Sequence, residues 1–320
     1  MMLLVNPKID GTQAQVPTLL NNLNRKATSA PVHGTIPVPP WDSLNPYVSM
    51  ERHYQGIAPY NGNGGSTIQN GCISASSTSG YFSGFSQAPN SGATVKSVVV
   101  PNSSYFHAAG IQMLGDLLPV PLESTDSSLK ALVKFYNVGN LSSPGYLYSL
   151  TMPARKASAT AITTYKDSSG TDQCMLMVYE YDNHQMYIYQ SPASSIGSSS
   201  GWQYITTYTG SALNTGDQFQ GFALVTQANS TGDVVYLLGF REDEELWLYT
   251  VNTTSGSSYG TPTYNSKYTG WNGSDWRNGM GVQIASTTSL CLFGTAKDPS
   301  GSSTYPGGPA NYNFNIYLYQ

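Results

Sequence analysis

Apolar positions along this chain fall in short runs separated by clusters of Gly, Ser, Asn, Asp and Pro. The stretch Gln220 to Thr269 is typical: "QGFALVTQ", "DVVYLLGF", "ELWLYTV" and "TYNSKYT" are divided by "ANSTG", "REDE" and "NTTSGSSYG". Runs rich in β-branched and aromatic residues, bounded by turn formers, predict strands joined by tight turns. Within the runs the apolar residues are continuous, which suits strands covered on both faces. No long stretch has the 3.6-residue period of an amphipathic helix, so helix should be scarce.

The runs also repeat. "HAAGIQMLGDLLPVPLE" opens at His107 with a polar residue, a small residue and an apolar one, and the same opening returns elsewhere. It reads "HYQGIA" from His53, "SATAIT" from Ser158, "QFQGFA" from Gln218 and "NGMGVQ" from Asn278. The aligned small residues, Gly56, Gly110, Ala161, Gly221 and Gly281, lie 54, 51, 60 and 60 residues apart. An aromatic landmark moves with them: Tyr136, Tyr187 and Trp247 each follow their small residue by 26 positions. In the last unit Tyr317 follows at 36, after the turn-rich insertion Pro299 to Asn311, and the first unit has no comparable aromatic. Four short antiparallel strands per unit, repeated, make β-propeller blades. The fold expected is therefore all-β, a five-bladed propeller of four-stranded blades, with His107 to Glu123 as the first hairpin of the second blade.

The chain ends at Gln320, just after the third run of the last unit. A strand from the N-terminal arm should complete that blade and remove its open edge. The domain reading is thus an arm over residues 1–46 and one propeller over 47–320. The remainder of the arm is Pro-rich from Ala30 to Pro46 and should be extended and superficial. Over residues 47–320 the pattern resembles β-propeller repeat proteins, with five-bladed, sugar-binding propeller lectins the nearest functional type. There is no WD signature, no kelch-type glycine pair and no match to a single named family.

Composition narrows the function classes. Only 10% of the 320 residues are charged and the net charge is -4, which argues against a basic face for nucleic acid or anionic lipid. No apolar run approaches a membrane span. The run at the N-terminus is shorter than the core of a signal peptide, so the chain reads as soluble and, by default, cytoplasmic. Cys72, Cys174 and Cys291 have no metal-type spacing and sit in or near strand-like runs; buried free thiols are expected.

In a propeller the starts of the innermost strands face the central channel, so His53, His107, Ser158, Gln218 and Asn278 should form one polar ring. Gln112, Thr163 and Gln283 lie one step further in. These groups can hold a small polar ligand; the two histidines can serve as acid and base, or as metal ligands, although no carboxylate stands out as a third ligand. Carboxylates for glycoside hydrolysis reduce to Asp217 and Asp275, with Asp116 in a turn at the far end. Trp271 and Trp276 in "TGWNGSDWRNG" form the best exposed aromatic platform. The reading is a binder of a small polar molecule or glycan, carbohydrate foremost, with Gln112, Gln218, Asn278, Gln283, Trp271 and Trp276 as ligand contacts and no cofactor. The alternatives are an enzyme using His53 and His107 and a scaffold for a protein partner.

Overall fold

The computed structural model describes residues 7–26, 32–37, 53–59, 70–76, 80–88, 92–99, 101, 104–105, 107–124, 126–209, 213, 219–272, 276, 279–295 and 311–320. Within these, 32–37, 53–54, 76, 86–98, 295 and 311–317 are described by backbone alone. Two short elements precede the blades: strand β1 (Ile9–Asp10) and helix α1 (Val16–Asn22); β2 is Val32–Pro37. Blade 1 holds β3 (His53–Pro59), β4 (Asn70–Ser76), β5 (Tyr81–Ala88) and β6 (Gly92–Val99). Blade 2 holds β7 (His107–Ala108), β8 (Leu117–Glu123), β9 (Leu132–Asn137) and β10 (Gly145–Thr151). Blade 3 is β11 (Ala159–Lys166), β12 (Asp172–Glu180), β13 (Gln185–Pro192) and β14 (Gln203–Tyr208). Blade 4 is β15 (Gly221–Ala228), β16 (Val234–Arg241), β17 (Glu245–Val251) and β18 (Pro262–Tyr268). Blade 5 supplies β19 (Met280–Ser286), β20 (Ser289–Thr295) and β21 (Asn311–Tyr319).

Its fourth strand is β2, paired antiparallel with β21 from Val32↔Ile316 to Pro37↔Asn311. The five-bladed ring is thus closed by an N-terminal strand, as the missing run at the C-terminus implied. The other edge of β2 also pairs, parallel, with β6 through Gly34↔Ala93 and Thr35↔Thr94. The blade 5–blade 1 seam is therefore hydrogen-bonded along the rim.

The first strand of each blade lies innermost, and β3, β11, β15 and β19 pack side by side. This explains the small residue in blades 1 and 5. A Cβ on Gly281 would sit 2.1 Å from the Ile57 carbonyl oxygen, and one on Gly56 would sit 2.7 Å from the Ile111 nitrogen. Backbone meets backbone there, and a side chain would push the blades apart. The apolar cores lie between blades: Phe135 and Trp202 with Ile162 and Leu176 between blades 2 and 3, Tyr179 and Met177 with Phe222 and Leu237 between blades 3 and 4. Strands flanked by a core on each side have no polar face, which is why the runs fail to alternate.

Blade 2 departs from the pattern for a local reason. Pro119 and Pro121 in β8 have no N–H to offer an inner neighbour. Accordingly β7 pairs with β8 only at His107↔Glu123 and Ala108↔Leu122. The chain then swings to blade 3: Gly110 N donates to the Ser158 carbonyl (3.2 Å), Thr160 N donates to the Gly110 carbonyl (2.9 Å) and Thr160 Oγ1 donates to the Pro119 carbonyl (3.0 Å).

The arm does more than close the ring. β1 pairs with β15, and α1, with Pro17 preset in its first turn, lays Val16 and Leu20 into the blade 4–blade 5 core. Ile9, Val16 and Leu20 have no exposed surface. All three cysteines are buried and free, as expected. Burial pushes the Cys291 thiol up to about 11 and raises those of Cys72 and Cys174. Among the described residues no helix is long and apolar enough to cross a membrane.

Candidate ligand-binding site

Of the channel ring drawn from the sequence, Gln218, Asn278 and the side chain of His53 lie outside the described residues. One step in, Gln112 is buried and committed to backbone. Its Oε1 accepts from Ile162 N (3.0 Å) and Leu224 N (2.8 Å), and its Nε2 donates to the Leu224 carbonyl (2.8 Å). Inner strands expose one row of backbone groups that no strand covers, and Gln112 satisfies three of them at once, fastening blade 2 to blades 3 and 4. Thr163 and Thr226 bond each other through their hydroxyls (2.9 Å), and Gln283 is buried in β19. At Gln112, therefore, the polar groups expected to meet a ligand hold the ring together.

His107 has a partner that the sequence reading missed. Its Nδ1 pairs with Glu123 Oε1, a buried carboxylate directly opposite in the hairpin register. The backbone row continues across the strands as His53↔Ser76, Ser76↔His107 and His107↔Glu123, so one strand separates the two histidines. Among the described residues no group of three or more His, Cys, Asp or Glu is placed to hold a metal. Asp116 is buried in the turn at the end of the hairpin remote from His107, and Asp217 and Asp275 lie outside the described residues.

Trp271 and Trp276 are not an exposed platform. They are 2% and 0% exposed, with ring centroids 5.2 Å apart, and both pack on Tyr319. The arm and the last strand cover them, and the Arg25 guanidinium lies 4.1 Å from the Trp271 ring.

The exposed aromatics are elsewhere. Tyr146 (55%), Tyr204 (47%) and Tyr264 (39%) stand on the outer strands of blades 2, 3 and 4, each beside a register shift. Such β-bulges re-aim side chains at sheet edges. In blade 4 the tyrosine belongs to a larger cluster. The Tyr264 ring lies 5.3 Å from Trp247, whose counterparts Tyr136 and Tyr187 are buried while Trp247 is only partly so. Glu245 accepts from Arg241 Nη1 (2.6 Å), Lys267 Nζ (2.8 Å) and Trp247 Nε1 (2.9 Å). The two cations lie 5.8 Å (Arg241) and 5.4 Å (Lys267) from the Trp247 ring.

The chain folds this way because "REDEELW" makes a short turn, with Glu244 in the left-handed region (φ 58), and resumes as β17. Glu245 and Trp247 then share a face, since side chains two apart on a strand point alike. Burial pushes the Glu245 carboxyl up, but bonds from Lys267 and Trp247 and the charge of Arg241 outweigh it, leaving the group below the usual carboxylate range. Two aromatic rings edged by a fixed carboxylate, an ammonium and a guanidinium offer a surface for a C–H face and partners for hydroxyls.

No family model and no curated protein matches the chain. Among solved structures it is similar to the GH43_1 enzyme from Xanthomonas citri complexed with xylose, at 11% identity and TM-score 0.48, covering 92% of this chain and 90% of that one. It is similar to an arginine-to-alanine variant of AofleA from Arthrobotrys oligospora at 10% identity and TM-score 0.44, covering 80% and 86%. Sqt1 from Chaetomium thermophilum, bound to the N-terminus of a ribosomal protein, matches at 13% identity and TM-score 0.34 over 64% of this chain; the chain spans 47% of that structure's length.

Proposed function

We propose that this propeller is a non-catalytic binding module for a small polar ligand, carbohydrate foremost, held at the outer edge of blade 4. The observation that carries the reading is the preorganised cluster at Trp247: half-exposed Tyr264 beside it, and Glu245 fixed by three donors at its rim. Preorganisation lowers the cost of ordering side chains when a ligand arrives. Calorimetric titration of the whole chain with a panel of neutral mono- and oligosaccharides tests it. Burial of an aromatic side chain contributes about 1.5–3 kcal/mol. Trp247→Ala should therefore weaken the best ligand by roughly tenfold to a hundredfold. Silence across the panel, or binding unchanged in Trp247→Ala and Tyr264→Ala, would sink the reading.

The His107–Glu123 pair supports a second reading, an enzyme. A carboxylate on Nδ1 orients the imidazole, and a substrate would have to displace the groups that bury Nε2 before meeting it. A turnover that His107→Ala abolishes, with a pH profile set by one imidazole, would favour it over simple binding.

A further inference from the structure

On the other side of β18 an open groove of 630 Å³ runs between α1 and the strand, lined by Thr18, Asn21, Arg25, Ser266, Lys267 and Tyr268, with Pro17 and Thr269 completing it. Its lining offers hydroxyl, amide and cationic donors, and no acidic side chain is among it. Lys267 already has a counter-charge in Glu245. Arg25 has none among the described residues. Its guanidinium is set over Trp271 (4.1 Å) and Tyr268 (5.2 Å), and its buried Nη1 meets no hydrogen-bond acceptor among the described residues. The fold has partly dehydrated this cation and held it by ring faces, which attract it without supplying an acceptor. An arginine that is oriented but unneutralised suits a planar oxyanion; with Nη1 covered, a carboxylate in the groove meets its other donors, which still form a rigid edge. A merely structural arginine at this seam would be expected to bond a carbonyl or carboxylate from the chain.

We propose that this groove is a second site, distinct from the Trp247 cluster, which binds a carboxylate-bearing sugar of the uronic acid class. The carboxylate faces Arg25, and Asn21, Thr18 and Ser266 take the hydroxyls. Trp271 then has a role unlike the one its sequence context suggested: it is the floor that orients the arginine.

The test is calorimetric titration of the full chain at fixed ionic strength with D-glucuronate, D-glucose, acetate and inorganic phosphate. Glucuronate should bind, and in the Trp247→Ala chain, where the first site cannot contribute, the other three should bind at least tenfold more weakly or not at all. A hydrogen bond to a charged group contributes about 1.5–3 kcal/mol, so Arg25→Gln should weaken glucuronate by about tenfold or more. Trp247→Ala should leave glucuronate binding unchanged, which separates this site from the one proposed above. Asn21 is exposed on a surface helix, so Asn21→Ala is the companion variant if Arg25→Gln fails to fold; it should weaken glucuronate severalfold. Wild-type silence with glucuronate, phosphate or acetate binding as tightly as glucuronate, or folded Arg25→Gln or Asn21→Ala chains binding like wild type, would overturn the proposal.

Discussion

Replacing Gln112 by Met isolates the hydrogen bonds that fasten the centre of the ring, since the two side chains are alike in length and volume. The change leaves two backbone N–H groups, of Ile162 and Leu224, and one carbonyl, of Leu224, without the partner they have now. Each buried group so orphaned costs about 1–3 kcal/mol. A water entering the channel can serve two of the three; the one group left, at about 1–3 kcal/mol, and about 1 kcal/mol for immobilising the water bring the expected loss to about 2–4 kcal/mol. Against the roughly 5–15 kcal/mol that stabilises a domain, that is a large share. At roughly 2 °C per kcal/mol for a large domain, the midpoint should fall by about 4–8 °C. Urea unfolding followed by tryptophan fluorescence, with an unchanged denaturant slope, measures the loss. Amide exchange then localises it, because Ile162 and Leu224 should lose protection before their neighbours. A loss below about 0.5 kcal/mol, the range of a neutral surface change, together with unaltered exchange at those two amides, would refute the clamp.

Gly281→Ala should destabilise by roughly 3 kcal/mol or more, because its Cβ meets the Ile57 carbonyl and only backbone movement relieves the overlap; an unfolding midpoint equal to wild type would contradict the seam. Alkali should unfold the chain steeply. Burial raises Tyr148, Tyr179, Tyr249 and Tyr259 and pushes Tyr189 up to about 12. Unfolded tyrosine titrates near 10, so stability contributed by keeping these phenols neutral is complete below about pH 10. Above that it falls by about 1.4 kcal/mol per pH unit for each group, as pH rises through the folded values. Tyrosinate absorbance and circular dichroism should therefore change together, and ionisation of these phenols in an intact fold would contradict the assignment.

What could be read from the sequence had a local cause. Gly56, Gly110 and Gly281 recur because an inner strand crowds the neighbouring blade at each of them, whereas Gly221 has room for a Cβ and Ala161 carries one. The missing last strand was legible for a similar reason: an outer edge must be covered, and one run was lacking. The fate of Trp271 was not legible. Its covering comes from Leu23 and Arg25 in the arm and from Tyr319 at the far end of the chain, and nothing within its own loop records them. Trp247 was legible and overlooked, because "REDE" reads as a solvated turn unless Glu245 and Trp247 are placed on one strand face. Glu123 was hidden in the same manner; drawing the hairpin register from His107 would have set the carboxylate opposite the imidazole.

The double pairing of β2 decides what the rest of the rim can become. One strand occupies two outer edges, that of β21 and part of that of β6, so blades 5 and 1 fuse into a seam. Among the described residues the outer strands left unpaired on their far side are β10, β14 and β18, and these carry the half-exposed tyrosines beside their bulges. Of the five blades, three present a wholly free outer border among the described residues, and those borders belong to consecutive blades. Anything that engages this protein edge-on meets a front of three consecutive blades and a back that β2 closes in part, an orientation created by the closure of the ring.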